Sequence, residues 1–282
     1  MSEYVDLGEV RLFVRQLGRD NPDPPVVVIH GGPDWDHAYL LPGLEPLARD
    51  HHVVAFDWRG CGRSTRDLPL TAYHPDPVVK DVRGLIAHLD VPQVDLVGFS
   101  TGGRIAQLLV ERHPELVRRL VLASTIGFPT YSTETRDAWP EYQRRLAMQQ
   151  DDDAFAGDET YERAARDAAP TSIWNLDLMP AYQRLLDTVH WSGEWGKALA
   201  AGLLPPFGPP DAEQVLRDFG RPVLILHGEQ DLGFPVEHAR RLHAAVPGST
   251  LAIVDQAGHM AQFEHPKEWA RHLHTFLGVT DP

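Results

Sequence analysis

The sequence predicts an α/β protein with a mostly parallel central sheet, flanked by helices and carrying a helical insertion. Three observations predict it. Short β-branched runs without polar alternation recur along the chain, helical segments lie between them, and one long stretch, 127–210, interrupts the alternation. A strand that is apolar at every position is covered on both faces, as in a parallel sheet. Strands alternating with helices build βαβ units.

The elements follow in order. Residues 3–17 alternate apolar and polar around Leu7-Gly8-Glu9 and predict an antiparallel hairpin. Buried-strand runs lie at Pro25–His30, His52–Phe56, Val94–Gly98, Leu120–Ala123, Val223–Leu226 and Leu251–Val254. Helices are expected over Pro77–Leu89, Thr101–Arg112, Val236–Ala245 and His259–Leu277. The stretch from Gly127 to Pro210 has no such strand run. It shows helical patches at Trp139–Met148 and Glu159–Ala168, and acids outnumber bases in it. It closes on Leu203-Leu204-Pro205-Pro206-Phe207-Gly208-Pro209-Pro210, a stiff linker. The expected organisation is a core of 1–126 and 211–282 with a helical cap at 127–210. At least three cap helices should lie over the sheet edge.

Composition removes several functions. The chain has 282 residues and one cysteine, Cys61, so an internal disulfide framework is excluded. A net charge of −14 repels phosphate backbones and argues against nucleic acid. The N-terminus Met1-Ser2-Glu3 lacks a basic-then-apolar leader, and the apolar runs fall short of the about 20 residues needed to cross a bilayer. The expectation is a cytoplasmic protein without a membrane partner, acting on a small molecule as a monomer or homodimer. No Gly-rich dinucleotide fingerprint is present, so no nicotinamide or flavin is expected. His272-x-His274 is a poor chelate, because residues two apart on a helix do not face each other, and His51-His52 adds nothing more. Neither a metal nor another cofactor is expected.

The chemistry centres on Gly98-Phe99-Ser100-Thr101-Gly102-Gly103, which closes a strand and opens a helix. A serine on that turn projects its hydroxyl off the sheet edge, and the helix N-terminus behind it aims free N–H groups at a developing oxyanion. A serine hydroxyl needs a base with a pKa near 7. Asp231, in His227-Gly228-Glu229-Gln230-Asp231, and His259, in Ala257-Gly258-His259-Met260, follow in the order acid then base, each after a strand. That is the strand edge where ligands of open α/β sheets collect. Glu229 is the second candidate acid. The oxyanion donors are expected to be the main-chain N–H groups of Gly32, in His30-Gly31-Gly32-Pro33, and Thr101. Candidate pocket residues are Asp34, Trp35, Phe99, Phe128, Trp139, Trp174, Leu178 and Trp191.

Taken with Asp57-Trp58-Arg59-Gly60-Cys61-Gly62-Arg63-Ser64, these motifs span nearly the whole chain, which resembles an α/β-hydrolase fold serine hydrolase with a helical cap. The resemblance implies Ser100 as nucleophile, Asp231 as acid and His259 as base. It implies structural roles for the Asp57–Ser64 loop, and no catalytic role for Cys61. His30 and His227 are expected to brace their loops. Two motifs are similar to proline iminopeptidases, but Gly-Phe-Ser-Thr-Gly stands where those enzymes have Gly-Gly-Ser-Trp-Gly, and Asp34 stands where they have glycine. The leading expectation is hydrolysis of a small ester, lactone or related acyl compound. The second is an aminopeptidase, with Glu141 or Glu194 holding the substrate ammonium. The third is a non-hydrolytic enzyme or small-ligand receptor on the same fold. The acidic chain, with Asp34 beside the oxyanion loop, predicts neutral or cationic substrates over polyanionic acyl donors.

Overall fold

A computed structural model describes residues 1–21, 24–127, 134–149 and 158–278. Eight strands form one sheet: β1 Ser2–Asp6, β2 Arg11–Leu17, β3 Val26–Ile29, β4 Val53–Phe56, β5 Val94–Phe99, β6 Val117–Ala123, β7 Val223–Gly228 and β8 Thr250–Val254. Their spatial order is β1-β2-β4-β3-β5-β6-β7-β8. The pairings β1–β2 and β2–β4 are antiparallel and all others parallel. The expected hairpin and the six expected buried runs are these eight strands.

Successive side chains of a strand point to opposite faces, so each apolar run feeds two cores. Val27, Ile29, Val54, Phe56, Leu96 and Leu120 pack on one face with Val82, Leu85, Ile105, Leu109 and Leu242, from the helices Pro75–His88, Thr101–Arg112 and Val236–Ala245. Val26, Val28, Val53, Ala55, Val97 and Val121 pack on the other with Leu44, Leu47, Trp269 and Leu273, from the helices Leu41–Leu47 and Pro266–Leu277. Ile173, Tyr182 and Leu186 from the segment between β6 and β7 join that second core.

One local reading needs correction, and one helix was not expected. The helix expected over His259–Leu277 is two helices, Ala261–Glu264 and Pro266–Leu277. Pro266 lacks an N–H and pushes His265 out of helical geometry, to φ −130° and ψ 60°. His259 therefore stays on the turn after β8. The helix Leu41–Leu47 carries Pro42, Gly43 and Pro46 and escapes propensity reasoning. Tertiary packing makes it. A Cβ at Gly43 would come 2.8 Å from the Trp269 ring, so the missing side chain lets the two helices meet.

Between β6 and β7 the described residues form helices at Glu134–Asp137, Pro140–Leu146, Asp158–Asp167, Ala169–Ser172, Met179–Leu186 and Glu194–Ala200, with no strand among them. A further helix, Ala212–Phe219, leads back to the sheet. Asp211 caps it by accepting the Gln214 N–H at 2.9 Å, and Gly220 ends it at φ 60°. Among the described residues no helix is long and apolar enough to cross a membrane.

Candidate active site

Ser100 stands between the last residue of β5 and the first of the helix Thr101–Arg112, with φ 52° and ψ −122°. A non-glycine residue there stores strain and persists only where its surroundings over-determine it. They do: its N–H donates to the Ala123 carbonyl at 2.9 Å, and its own carbonyl accepts from Gly103 N–H at 3.0 Å and Thr125 Oγ1 at 2.6 Å. Gly98 is required by close approach, since a Cβ there would stand 2.5 Å from Gly103 Cα. The turn is tight because strand and helix touch through backbone alone.

Asp231 lies just beyond β7 and is fully buried. Its Oδ1 accepts the N–H groups of Gly233 and Phe234, both at 2.8 Å, and its Oδ2 faces His259 Nδ1 at 2.8 Å and His227 Nε2 at 3.3 Å. Burial opposes its charge, but the imidazoles of His259 and His227 outweigh it and hold the carboxyl well below the usual range. With Nδ1–H given to Asp231, His259 turns its Nε2 lone pair to Ser100 Oγ at 3.1 Å. The rings of Phe99 and Phe234 flank the imidazole, each with its centroid 5.4 Å away. Glu229, the other candidate acid, is two-fifths exposed and faces Arg240 at 3.5 Å.

The loop after β3 runs alongside. A Cβ on Gly31 would come 2.8 Å from Ser100 Cβ, and the Gly31 N–H is taken by the Tyr39 hydroxyl at 2.7 Å. The N–H groups of Gly32 and Thr101 have no protein acceptor among the described residues, which leaves both free for a ligand oxygen. His30 braces this loop. Its Nε2 accepts the Trp58 N–H at 3.3 Å and its Nδ1 donates to the Gly31 carbonyl at 2.5 Å, so the ring must be neutral. Burial pushes its pKa down to about 4, against the pull of Asp57. Below the ordinary histidine range the unfolded chain then takes up a proton that the fold refuses, and stability falls with falling pH. Relative to His30→Gln, the native protein should lose roughly 3 kcal/mol between about pH 7 and pH 4, read from urea unfolding at each pH.

A family model described as the α/β hydrolase fold matches residues 24–266. The chain belongs to that family. It is an enzyme, a hydrolase. The 2-hydroxymuconate semialdehyde hydrolase of Pseudomonas sp. strain CF600 is 31% identical over 91% of this chain and 88% of its own. The 2-hydroxy-6-oxo-2,4-heptadienoate hydrolase of Pseudomonas putida strain F1 is 28% identical over 100% of this chain and 98% of its own. Among solved structures, the enol-lactonase of Burkholderia xenovorans LB400 superposes with a TM-score of 0.75 at 22% identity, covering 98% of this chain and 100% of that one.

The remaining expected site residues of this hydrolase fall in different places. Phe99 is buried against His259, and Trp35 meets Tyr39 and Trp191 edge-on, with centroids 4.9 and 4.6 Å apart. Leu178 packs on the second core. Trp139 and Trp174 stack on each other at 6.1 Å, and Trp139 lines a groove of about 320 Å³ with Glu229, Gln230 and Pro235. Neither ring makes a ring contact or hydrogen bond with Ser100 or His259 among the described residues. Phe128 lies outside the described residues.

Asp34 needs correction. It is not a charge beside the pocket but a buried fastener. Its carboxylate accepts Ser192 Oγ at 2.7 Å and the N–H groups of Trp195 and Gly196 at 3.0 and 2.9 Å, the orphan donors opening the helix Glu194–Ala200. Burial pushes its pKa up to about 6, and those donors pull it down. The expected preference for neutral or cationic substrates loses its local support. Nothing near Asp34 in sequence marks this contact, because the helix it caps lies some 160 residues downstream.

Proposed function

We infer that this hydrolase cleaves a small ester, lactone or related acyl compound through an acyl-enzyme on Ser100. The supporting observation is the unbroken hydrogen-bond chain Asp231 Oδ2–His259–Ser100 Oγ at 2.8 and 3.1 Å on the strained strand-to-helix turn. Ser100 Oγ attacks the carbonyl carbon as its proton passes to His259 Nε2. The C=O π pair moves to the carbonyl oxygen, which the N–H groups of Gly32 and Thr101 receive. One such donor is worth about 3 kcal/mol in the transition state. Collapse of the intermediate expels the leaving group, which takes the proton from Nε2. Water, deprotonated by the same nitrogen, then attacks the acyl carbon and releases the acid and Ser100. Asp231 holds the tautomer that leaves Nε2 free and stabilises the imidazolium.

The names of the relatives extend the substrate class to unsaturated oxo acids and enol lactones. The segment between β6 and β7 is read as the lid of the site, since it contributes to the core beside β5 and meets the turn that carries His259. The aminopeptidase alternative is disfavoured, because its carboxylates are taken. Arg144 and Arg145 hold Glu141, while the Tyr73 hydroxyl and Lys197 hold Glu194. The test is a steady-state panel of p-nitrophenyl acetate, an enol lactone, a 2-hydroxy-6-oxo-dienoate and a prolyl anilide. Turnover of an acyl or oxo-dienoate substrate, with kcat/KM at least tenfold above the anilide, is expected. Preference for the anilide contradicts the reading.

A further inference from the structure

The turn that carries His259 is tied to the segment between β6 and β7 on both sides of the imidazole, directly on one side and through Glu264 on the other. On one side, Met260 N–H donates to the Ser172 carbonyl at 3.1 Å. On the other, Gly258 N–H donates to Glu264 Oε2 at 2.6 Å. The second oxygen of the same carboxylate, Oε1, accepts the N–H groups of Trp174 and Asn175, both at 2.8 Å. Gly258 leaves no room between the two segments: a Cβ there would stand 2.8 Å from the Trp174 nitrogen and 3.0 Å from the Ile173 carbonyl carbon. One buried carboxylate, 8% exposed, thus joins the residue before the imidazole to residues 174–175.

Those residues are themselves anchored. The buried Arg145 guanidinium donates to the carbonyls of Pro170, Ile173 and Trp174 at 3.0, 2.6 and 2.7 Å, and lies 4.6 Å over the Trp174 ring. These carbonyls close the helix Ala169–Ser172, where a cation is favoured. Glu141 holds Arg145 in turn through Nε at 2.6 Å. Hydrogen bonds therefore run from the helix Pro140–Leu146 through Arg145, residues 173–175 and Glu264 to the N–H of Gly258, the residue before the base.

Asp231 fixes one nitrogen of the imidazole, but the position of the ring depends on its own backbone. We propose that Glu264 is a positioning residue, which transmits the seating of the Ser172–Asn175 segment to His259 and so sets its reach to Ser100. This rests on reading Ser100, His259 and Asp231 as the reacting group. A misplacement of 1 Å at such a centre can cost about 100-fold in rate. The coupling places a control point in the lid segment, since whatever shifts residues 172–175 shifts the base.

The experiment is a double-mutant cycle in the full chain, with Glu264→Gln and Arg145→Met read by kcat, KM and the rate of fluorophosphonate labelling on p-nitrophenyl acetate or the best substrate of the panel. Glutamine keeps the shape and one acceptor but turns an NH₂ toward a backbone N–H. Glu264→Gln should lower kcat and the labelling rate together by roughly 10- to 100-fold with KM within about twofold. Arg145→Met should give the same split, and the double variant should lose less than the product of the two. Active-site titration normalises each rate to the functional fraction, which separates misplacement from unfolding. Unchanged kcat per titrated site in Glu264→Gln overturns the proposal. If that variant does not fold, unchanged kcat per site in Arg145→Met overturns it. Ser100→Ala serves as the control: retained turnover there defeats the hydrolytic reading itself, whereas a dead Ser100→Ala beside a fully active Glu264→Gln defeats only the positioning role.

Discussion

Ser100→Ala is expected to lower kcat by about 10⁶-fold, the scale on which a hydrolase loses its nucleophile. The loss is large because Ser100 Oγ is the atom that bonds the acyl group, and no other hydroxyl is hydrogen-bonded to His259 Nε2 among the described residues. It is not total, because the N–H groups of Gly32 and Thr101 and the binding contacts remain, and these sustain about 10³- to 10⁴-fold catalysis over water. The fold should tolerate the change. Alanine inherits the same φ of 52°, and the hydrogen bonds that hold residue 100 run through its backbone. The melting temperature should move by no more than a few degrees. A rate within tenfold of the native enzyme rejects Ser100 as the nucleophile.

Asp231→Asn is expected to lower kcat by about 10⁴-fold for a different reason. The Gly233 and Phe234 N–H groups need an acceptor and retain the amide oxygen, so the NH₂ turns to His259 Nδ1. The imidazole then carries its proton on Nε2 and cannot take one from Ser100. KM should change little. Stability supplies a second readout. The Asp231 carboxyl lies below its ordinary range in the fold, so its contribution is full above the unfolded pKa and is lost as pH falls through the folded one. The native enzyme should be the more stable at neutral pH, and its advantage over Asp231→Asn should shrink below about pH 4, measured by denaturant unfolding at several pH values. Equal kcat in native and variant contradicts the tautomer argument.

The sheet was readable because parallel strands buried on both faces need apolar residues at nearly every position, and Val26–Ile29 and Val223–Leu226 leave little else to imagine. The elbow was readable because glycine at 98 is forced by contacts with residues 102, 103 and 106 of the turn itself, although Gly102 is forced by the distant backbone of Ile29 and His30. The structure brings Ser100, Asp231 and His259 together in the order the strand ends suggested. What escaped was non-local. Asp34 caps a helix far along the chain, Glu264 binds backbone in another segment, and Arg145 gathers carbonyls that no periodicity points to. The helix Leu41–Leu47 escaped because its propensity argues against it and packing on Trp269 overrides that. The break before Pro266 did have a local signal, in the proline itself, and reading across it placed His259 in a helix it does not join.

The most direct measurement is intact-protein and peptide mass spectrometry after reaction with a fluorophosphonate at neutral pH. A covalent acyl-transfer mechanism on this elbow predicts one adduct per chain, mapped to the peptide containing Ser100, forming with loss of activity in equal proportion and absent from Ser100→Ala. Full turnover without an adduct, or an adduct on another residue that tracks the lost activity, contradicts it.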